Sequence, residues 1–98
     1  MKKSLTIIGA GAWGSALAIV LSDKFDHIFL IAKNQNSIEK IGIQHHALST
    51  PFSNNISLGC NYQVIDKSEA ILIATPSYAF SSVLISIKSH LNKKPIAW

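Results

Sequence analysis

The segment Leu5-Thr6-Ile7-Ile8-Gly9-Ala10-Gly11-Ala12-Trp13-Gly14-Ser15-Ala16-Leu17-Ala18 constrains this chain more than any other. It reads as a buried strand, a glycine turn and the first turns of a helix. Leu5, Ile7 and Ile8 form an apolar run suited to a parallel strand covered on both faces. Beyond the turn, Trp13, Ala16, Leu17, Val20 and Leu21 repeat at helical spacing, predicting an amphipathic helix over 12–22. The glycines fall at the spacing G-x-G-x-x-G, and each has a physical task. Gly9 allows the tight turn out of the strand. Gly11 lets a pyrophosphate approach the backbone, and Gly14 lets the helix pack closely on the strand. Free N–H groups and the positive end of the helix dipole then face the phosphates. A tight turn that binds nothing does not need three glycines, so the pattern points to a dinucleotide site.

Composition bounds the rest. Ninety-eight residues make at most one domain, and 48% apolar against 14% charged residues describes a globular chain. No apolar run approaches the ~18 residues needed to span a membrane. Lys2 and Lys3 before apolar residues faintly suggest a secretory signal, but three glycines break that stretch. The protein is expected to be cytoplasmic. The single cysteine, Cys60, cannot form an internal disulfide and has no base near it in sequence to activate it as a nucleophile. The net charge of +4 is carried by nine lysines scattered from Lys2 to Lys94. They form no block and interleave with no aromatics, which argues against a nucleic-acid surface.

Along the chain, 4–8 is the first strand and Asp23-Lys24-Phe25-Asp26 turns back into a second, His27 to Ala32. This is a β–α–β unit of a parallel sheet. Asn34 is placed to cap a helix over about 35–44. Residues 45–55 carry the breakers of a loop. Its paired His45 and His46 point in different directions and have no third ligand at useful spacing, so no metal is expected. Ile56-Ser57-Leu58 is a short third strand. Asn61 is placed to cap a short helix over 62–68, although Tyr62-Gln63-Val64-Ile65 also reads as a strand. Ala70 to Ala74 is the fourth strand, ended by Thr75-Pro76-Ser77. A helix over about 78–90 follows, with Phe80, Val83, Leu84, Ile87 and Leu91 toward the sheet. Pro95-Ile96-Ala97-Trp98 begins a fifth strand. The fold expected is α/β, a Rossmann-type doubly wound parallel sheet that is incomplete, ending in strand 5. Residues 1–98 are accordingly expected to be the N-terminal nucleotide-binding part of a longer, truncated protein.

A carboxylate at the end of the second strand would hold the ribose 2′-OH of NAD. Here that strand ends Ala32-Lys33-Asn34, and Asp23 and Asp26 lie at its other end. Lys33 is placed to meet a 2′-phosphate as a point charge. NADP is therefore favoured, with NAD as the alternative. Trp13 either covers the cofactor or fills the gap beside the next loop. The Thr75-Pro76-Ser77 turn, at a carboxyl strand end, is expected to flank the cofactor.

The glycine turn with its internal tryptophan, the strand ending Leu30-Ile31-Ala32-Lys33-Asn34, and Ile71 to Phe80 with Val83-Leu84 resemble NAD(P)-dependent glycerol-3-phosphate dehydrogenase. Pro95-Ile96-Ala97-Trp98 resembles the strand leading into that family's Thr-Lys-Gly segment. The loop at 45–55 matches the family only loosely, and Lys33 stands where arginine or histidine is usual. The resemblance implies a cytoplasmic enzyme reducing dihydroxyacetone phosphate to sn-glycerol 3-phosphate for phospholipid synthesis, with a homodimer as one assembly it allows. It also implies a separate C-terminal helical substrate domain, absent from this chain. The family's two catalytic lysines would fall after Trp98, so no catalytic residue is assigned within it. The cofactor-binding set expected is Gly9, Gly11, Ala12, Trp13, Gly14, Lys33, Asn34 and Pro76. Two alternatives share the same nucleotide domain: another NADP-dependent hydroxyacid or ketopantoate-type dehydrogenase, and a non-catalytic NAD(P)-binding module.

Overall fold

A computed structural model describes residues 3–32, 54–75, 80–88 and 96–97. The strands are β1 (Ser4–Ile8), β2 (His27–Ile31), β3 (Ile56–Gly59), β4 (Ala70–Ile73) and β5 (Ile96–Ala97). The helices are α1 (Ala12–Leu21) and α2 (Phe80–Ile87), and a 3-10 turn spans Tyr62–Lys67. The strands form one sheet in the order β3-β2-β1-β4-β5, and every pairing is parallel. The chain thus winds outward from β1 through β2 to β3. It then crosses back over β1 to add β4 and β5 on the other side.

The alternation of side chains along each strand sorts the core into two layers. Leu5 and Ile7 of β1 pack with Ile28 and Leu30 of β2 on the face that receives Ala18 of α1. Ile8, Ile31, Ile71 and Ile73 point to the opposite face, where they meet Ile65 of the 3-10 turn and Val83 and Ile87 of α2. Such side chains contribute about 1.5–3 kcal/mol each relative to exposure. With apolar neighbours on both faces, β1, β2 and β4 carry near-continuous apolar runs, as the sequence reading expected.

Helix α1 differs from the expected stripe. Trp13 and Val20 are both 68% exposed, whereas Gly14, Ser15 and Ala18 are buried and Leu17 and Leu21 half-buried. The helix is rotated so that its smallest residues meet the sheet. Close backbone approach decides the orientation, and bulk does not. Asn61 does cap the following segment, its side chain accepting from the Gln63 N–H at 2.8 Å. That segment is a 3-10 turn anchored by buried Ile65, not an α-helix and not a strand. In α2, Val83 and Ile87 are buried and Leu84 half-buried, in line with the spacing read from sequence. The expected helix over 35–44 and most of the loop at 45–55, with both of its histidines, lie outside the described residues.

Polar groups tie the layers together. Asn55 donates from Nδ2 to the carbonyls of Ser22 and Phe25, at 2.8 and 3.0 Å, clamping the α1–β2 turn to the entry of β3. The hydroxyls of Thr6 and Ser68 are hydrogen-bonded in the buried space between β1 and the end of the 3-10 turn. A groove of about 170 Å³ lies over β2 and β3, on the face away from α1. It is bounded by Phe29, Ile31, Ser57, Gly59, Asn61 and Val64, and exists because Ser57 and Gly59 offer little side-chain volume there.

Candidate functional site

The carboxyl ends of four strands are fastened in a row. The Gly9 N–H donates to the Ile31 carbonyl at 2.9 Å, Ala32 to Gly59 at 2.7 Å, and Ala74 to Ile8 at 2.8 Å. These bonds extend the pairing of β1 with β2, β2 with β3, and β4 with β1 by one residue past the strands. They fix the height at which each connecting segment leaves the sheet. The glycine turn leaves β1 at the centre of this row, where the direction of winding reverses. In open α/β sheets that switch point is where ligands bind.

Each glycine of the turn meets a different constraint. Gly9 has φ of +115°, which L side chains rarely adopt, and a Cβ there would stand 2.8 Å from the Ala74 carbonyl oxygen. Gly14 faces the Gly9 carbonyl so closely that a Cβ would overlap it. Around Gly11 the surroundings are open, with nothing within 4 Å of a Cβ position. Two glycines are thus required by the protein's own packing, and the middle one is not. Among the described residues nothing fills the space that its missing side chain leaves.

Gly11 is also the N-cap of α1, in extended conformation, and provides no side-chain hydrogen bond to the helix start. No acidic residue stands in the first turn. The ten-residue helix therefore presents its first N–H groups and its positive dipole end at the turn with no carboxylate of its own against them. Ser15, fully buried beneath the turn, donates from Oγ to the Ala10 carbonyl at 3.3 Å, and its N–H bonds the Gly11 carbonyl at 2.9 Å. These two bonds hold the turn from below.

Of the expected cofactor-binding residues, Gly9, Gly11, Ala12, Trp13 and Gly14 come together in this turn. Ala12 is the first residue of α1, and the Trp13 indole is largely exposed beside it. An exposed Trp13 does not fill a gap within the described residues. Lys33, Asn34 and Pro76 lie outside the described residues. Asp23 and Asp26 sit at the amino end of β2, where Asp26 accepts from the Lys3 backbone N–H at 3.0 Å. They are remote from the row of carboxyl ends, as expected. Cys60 is exposed. Among the described residues no group of three or more His, Cys, Asp or Glu is placed to hold a metal, and no helix is long and apolar enough to cross a membrane. The groove over β2 and β3 shares no residue with the turn.

The sequence reading placed Thr75 in a turn flanking the cofactor but did not foresee that Ala74 and Thr75 press on Gly9. Their backbone walls the turn, with the Thr75 nitrogen 3.1 Å from a Cβ position on Gly9. A small residue and a β-branched residue ending an apolar strand carry no signal of that proximity, which comes from the pairing of β4 with β1.

Fold and turn together define a Rossmann-type dinucleotide-binding sheet. Comparison with known proteins is specific. Residues 4–98 match the family model described as NAD-dependent glycerol-3-phosphate dehydrogenase N-terminus, and the chain belongs to that family. It is 46% identical over 99 residues to glycerol-3-phosphate dehydrogenase [NAD(P)+] of Vesicomyosocius okutanii, covering all of this chain and 30% of that protein. The corresponding protein of Ruthia magnifica is 48% identical with the same coverage. A crystal structure of glycerol-3-phosphate dehydrogenase from Coxiella burnetii superposes with a TM-score of 0.84 at 31% identity, covering 99% of this chain and 32% of that one. The chain thus spans about a third of the length of these relatives, their N-terminal nucleotide-binding region.

Proposed function

We propose that this chain is the cofactor-holding part of an NAD(P)H-dependent reductase that converts dihydroxyacetone phosphate to sn-glycerol 3-phosphate, a supply of glycerol phosphate for phospholipid synthesis in the cytoplasm. The observation that carries the reading is the contrast within the turn. Gly9 and Gly14 are explained by internal packing, whereas Gly11 is explained by a ligand. The residues present fit a dinucleotide. Gly11 and the N–H groups opening α1 would take the pyrophosphate, with Ala12 and the exposed Trp13 beside it. When bound, the nicotinamide supplies the hydride for carbonyl reduction. The chain's own contribution is to bind and orient that cofactor. None of its nine lysines is assigned to proton transfer.

NADP is the preferred cofactor in this reading. Lys33 and Asn34 follow directly on Ala32, whose N–H is bonded to Gly59 at the end of β3. The sequence places a cation, and no carboxylate, where the adenosine ribose of a Rossmann ligand comes to lie. Pro76 follows Thr75 and is assigned to the rim of the same crevice.

The test is binding of NADPH and NADH followed by quenching of Trp13 fluorescence, with Trp98→Phe to remove the second indole and Lys33→Ala alongside. The expected result is binding of both, tighter for NADPH, with Lys33→Ala weakening NADPH much more than NADH. Equal weakening of the two would refute the NADP preference. No binding of either to folded protein would refute the cofactor role.

A further inference from the structure

We infer that Thr75 gives the bound dinucleotide a side-chain hydrogen bond; the inference rests on the nucleotide reading above. Thr75 stands two residues beyond β4, directly after the Ala74 N–H that bonds the Ile8 carbonyl. Its backbone nitrogen packs against Gly9, so the residue belongs to the wall of the glycine turn. Its Oγ1 is shielded from solvent and has no hydrogen-bond partner among the described residues. The other hydroxyls buried in this part of the sheet are paired: Thr6 with Ser68, and Ser15 with the Ala10 carbonyl.

An unpaired buried hydroxyl opposes folding, and valine would occupy the same volume without that penalty. A threonine there has a use only if the hydroxyl finds a partner in another state. Rotation about χ1 by about 120° carries Oγ1 to the position the methyl group held, with no backbone movement. On this assignment the rotated hydroxyl faces the crevice at the carboxyl ends of the strands. A dinucleotide lines that crevice with phosphate and ribose oxygens that accept hydrogen bonds. Ligand binding then relieves a polar group that the free protein leaves unsatisfied.

The test uses the full-length protein with Thr75→Val and Thr75→Ser, titrated calorimetrically with NADPH and NADH and melted without ligand. Thr75→Val is expected to raise the ligand-free melting midpoint and to weaken both dinucleotides about fivefold, the worth of one neutral hydrogen bond. Thr75→Ser, which keeps the hydroxyl, is expected to bind within about twofold of the parent on the same scale. Parent-like binding by Thr75→Val, or a lower ligand-free midpoint, overturns the assignment of Thr75 alone. A parent protein that binds neither dinucleotide overturns the nucleotide reading and this assignment with it.

Discussion

A Cβ built on Gly14 would overlap the carbonyl oxygen of Gly9. The third glycine of the turn is there so that the first turn of α1 can sit on the exit of β1. The obstacle is backbone held between two strands and has no flexible end to swing aside. Gly14→Ala is therefore expected to lower stability by about 3 kcal/mol, at the upper end of overpacking costs. Urea unfolding checks this, and a loss below 1 kcal/mol on the same scale would contradict the close approach.

Gly11 gives the opposite expectation. Its extended backbone suits any residue, its Cβ position is open, and as N-cap it gives the helix no side-chain acceptor. Gly11→Ser supplies that acceptor and is expected to stabilise the free protein by about 0.3 kcal/mol. On the proposed cofactor reading the same side chain would stand in the approach of the pyrophosphate, so NADPH affinity should fall by about tenfold or more. Unchanged affinity with a stabilised fold would show that the open space at Gly11 is not used.

Thr6 and Ser68 suit a double-mutant cycle. Their hydroxyls bond each other in the core, and Ser68 Oγ also lies 3.3 Å from the Val64 carbonyl. Ser68→Ala leaves the Thr6 hydroxyl buried and unpaired, whereas Thr6→Val leaves Ser68 only its long bond to the Val64 carbonyl. Thr6→Val and Ser68→Ala should each cost about 1–3 kcal/mol, and the double variant clearly less than their sum. Strict additivity would show that the two hydroxyls do not depend on each other.

Two isoleucines of α2 separate packing from mere hydrophobicity. Ile87 is fully buried, while Ile85, two residues earlier, is 76% exposed. Ile87→Ala is expected to cost about 2–5 kcal/mol and Ile85→Ala about 0.5 kcal/mol or less. Similar losses from both would mean that α2 meets the sheet with a different face.

Asn55 clamps two carbonyls of the α1–β2 turn with one amide group. Asn55→Ala should destabilise by about 1–3 kcal/mol. Asn55→Asp should cost more at neutral pH, because it sets a carboxylate against two carbonyl oxygens and removes both donors. Thermal melts of the two variants decide this, and an aspartate variant as stable as the parent would contradict the clamp.

Much of this architecture is legible in the sequence, for a physical reason. Apolar runs of four or five residues bounded by turn formers suit only strands covered on both faces, and β1, β2 and β4 are of that kind. The glycine spacing marked the turn because backbone geometry leaves no other residue at Gly9 or Gly14. The orientation of α1 was legible only in part: Gly14 marked the close approach and Leu17 and Leu21 do reach the core, but apolar periodicity also put Trp13 and Val20 on the buried face. The fold instead rewards smallness at Gly14, Ser15 and Ala18. The 3-10 turn at 62–67 was ambiguous because a single buried anchor, Ile65, sets no period. Nor could one sequence show that Ala74 and Thr75 wall the turn, since that contact depends on which strand lies beside β1.

The position of β1 between β2 and β4 also orders events in time. Lys3 meets Asp26 across 23 residues, a short β–α–β closure. Thr6 meets Ser68 across 62 residues, and only when that pairing forms does β4 bring Ala74 against Gly9. Closing the longer loop costs about 1 kcal/mol more chain entropy, and such non-local pairing is intrinsically slow. The glycine turn is thus encoded in the first fourteen residues but acquires its walls only when β4 docks beside β1. A nascent chain can display the glycine signature well before it can hold a nucleotide.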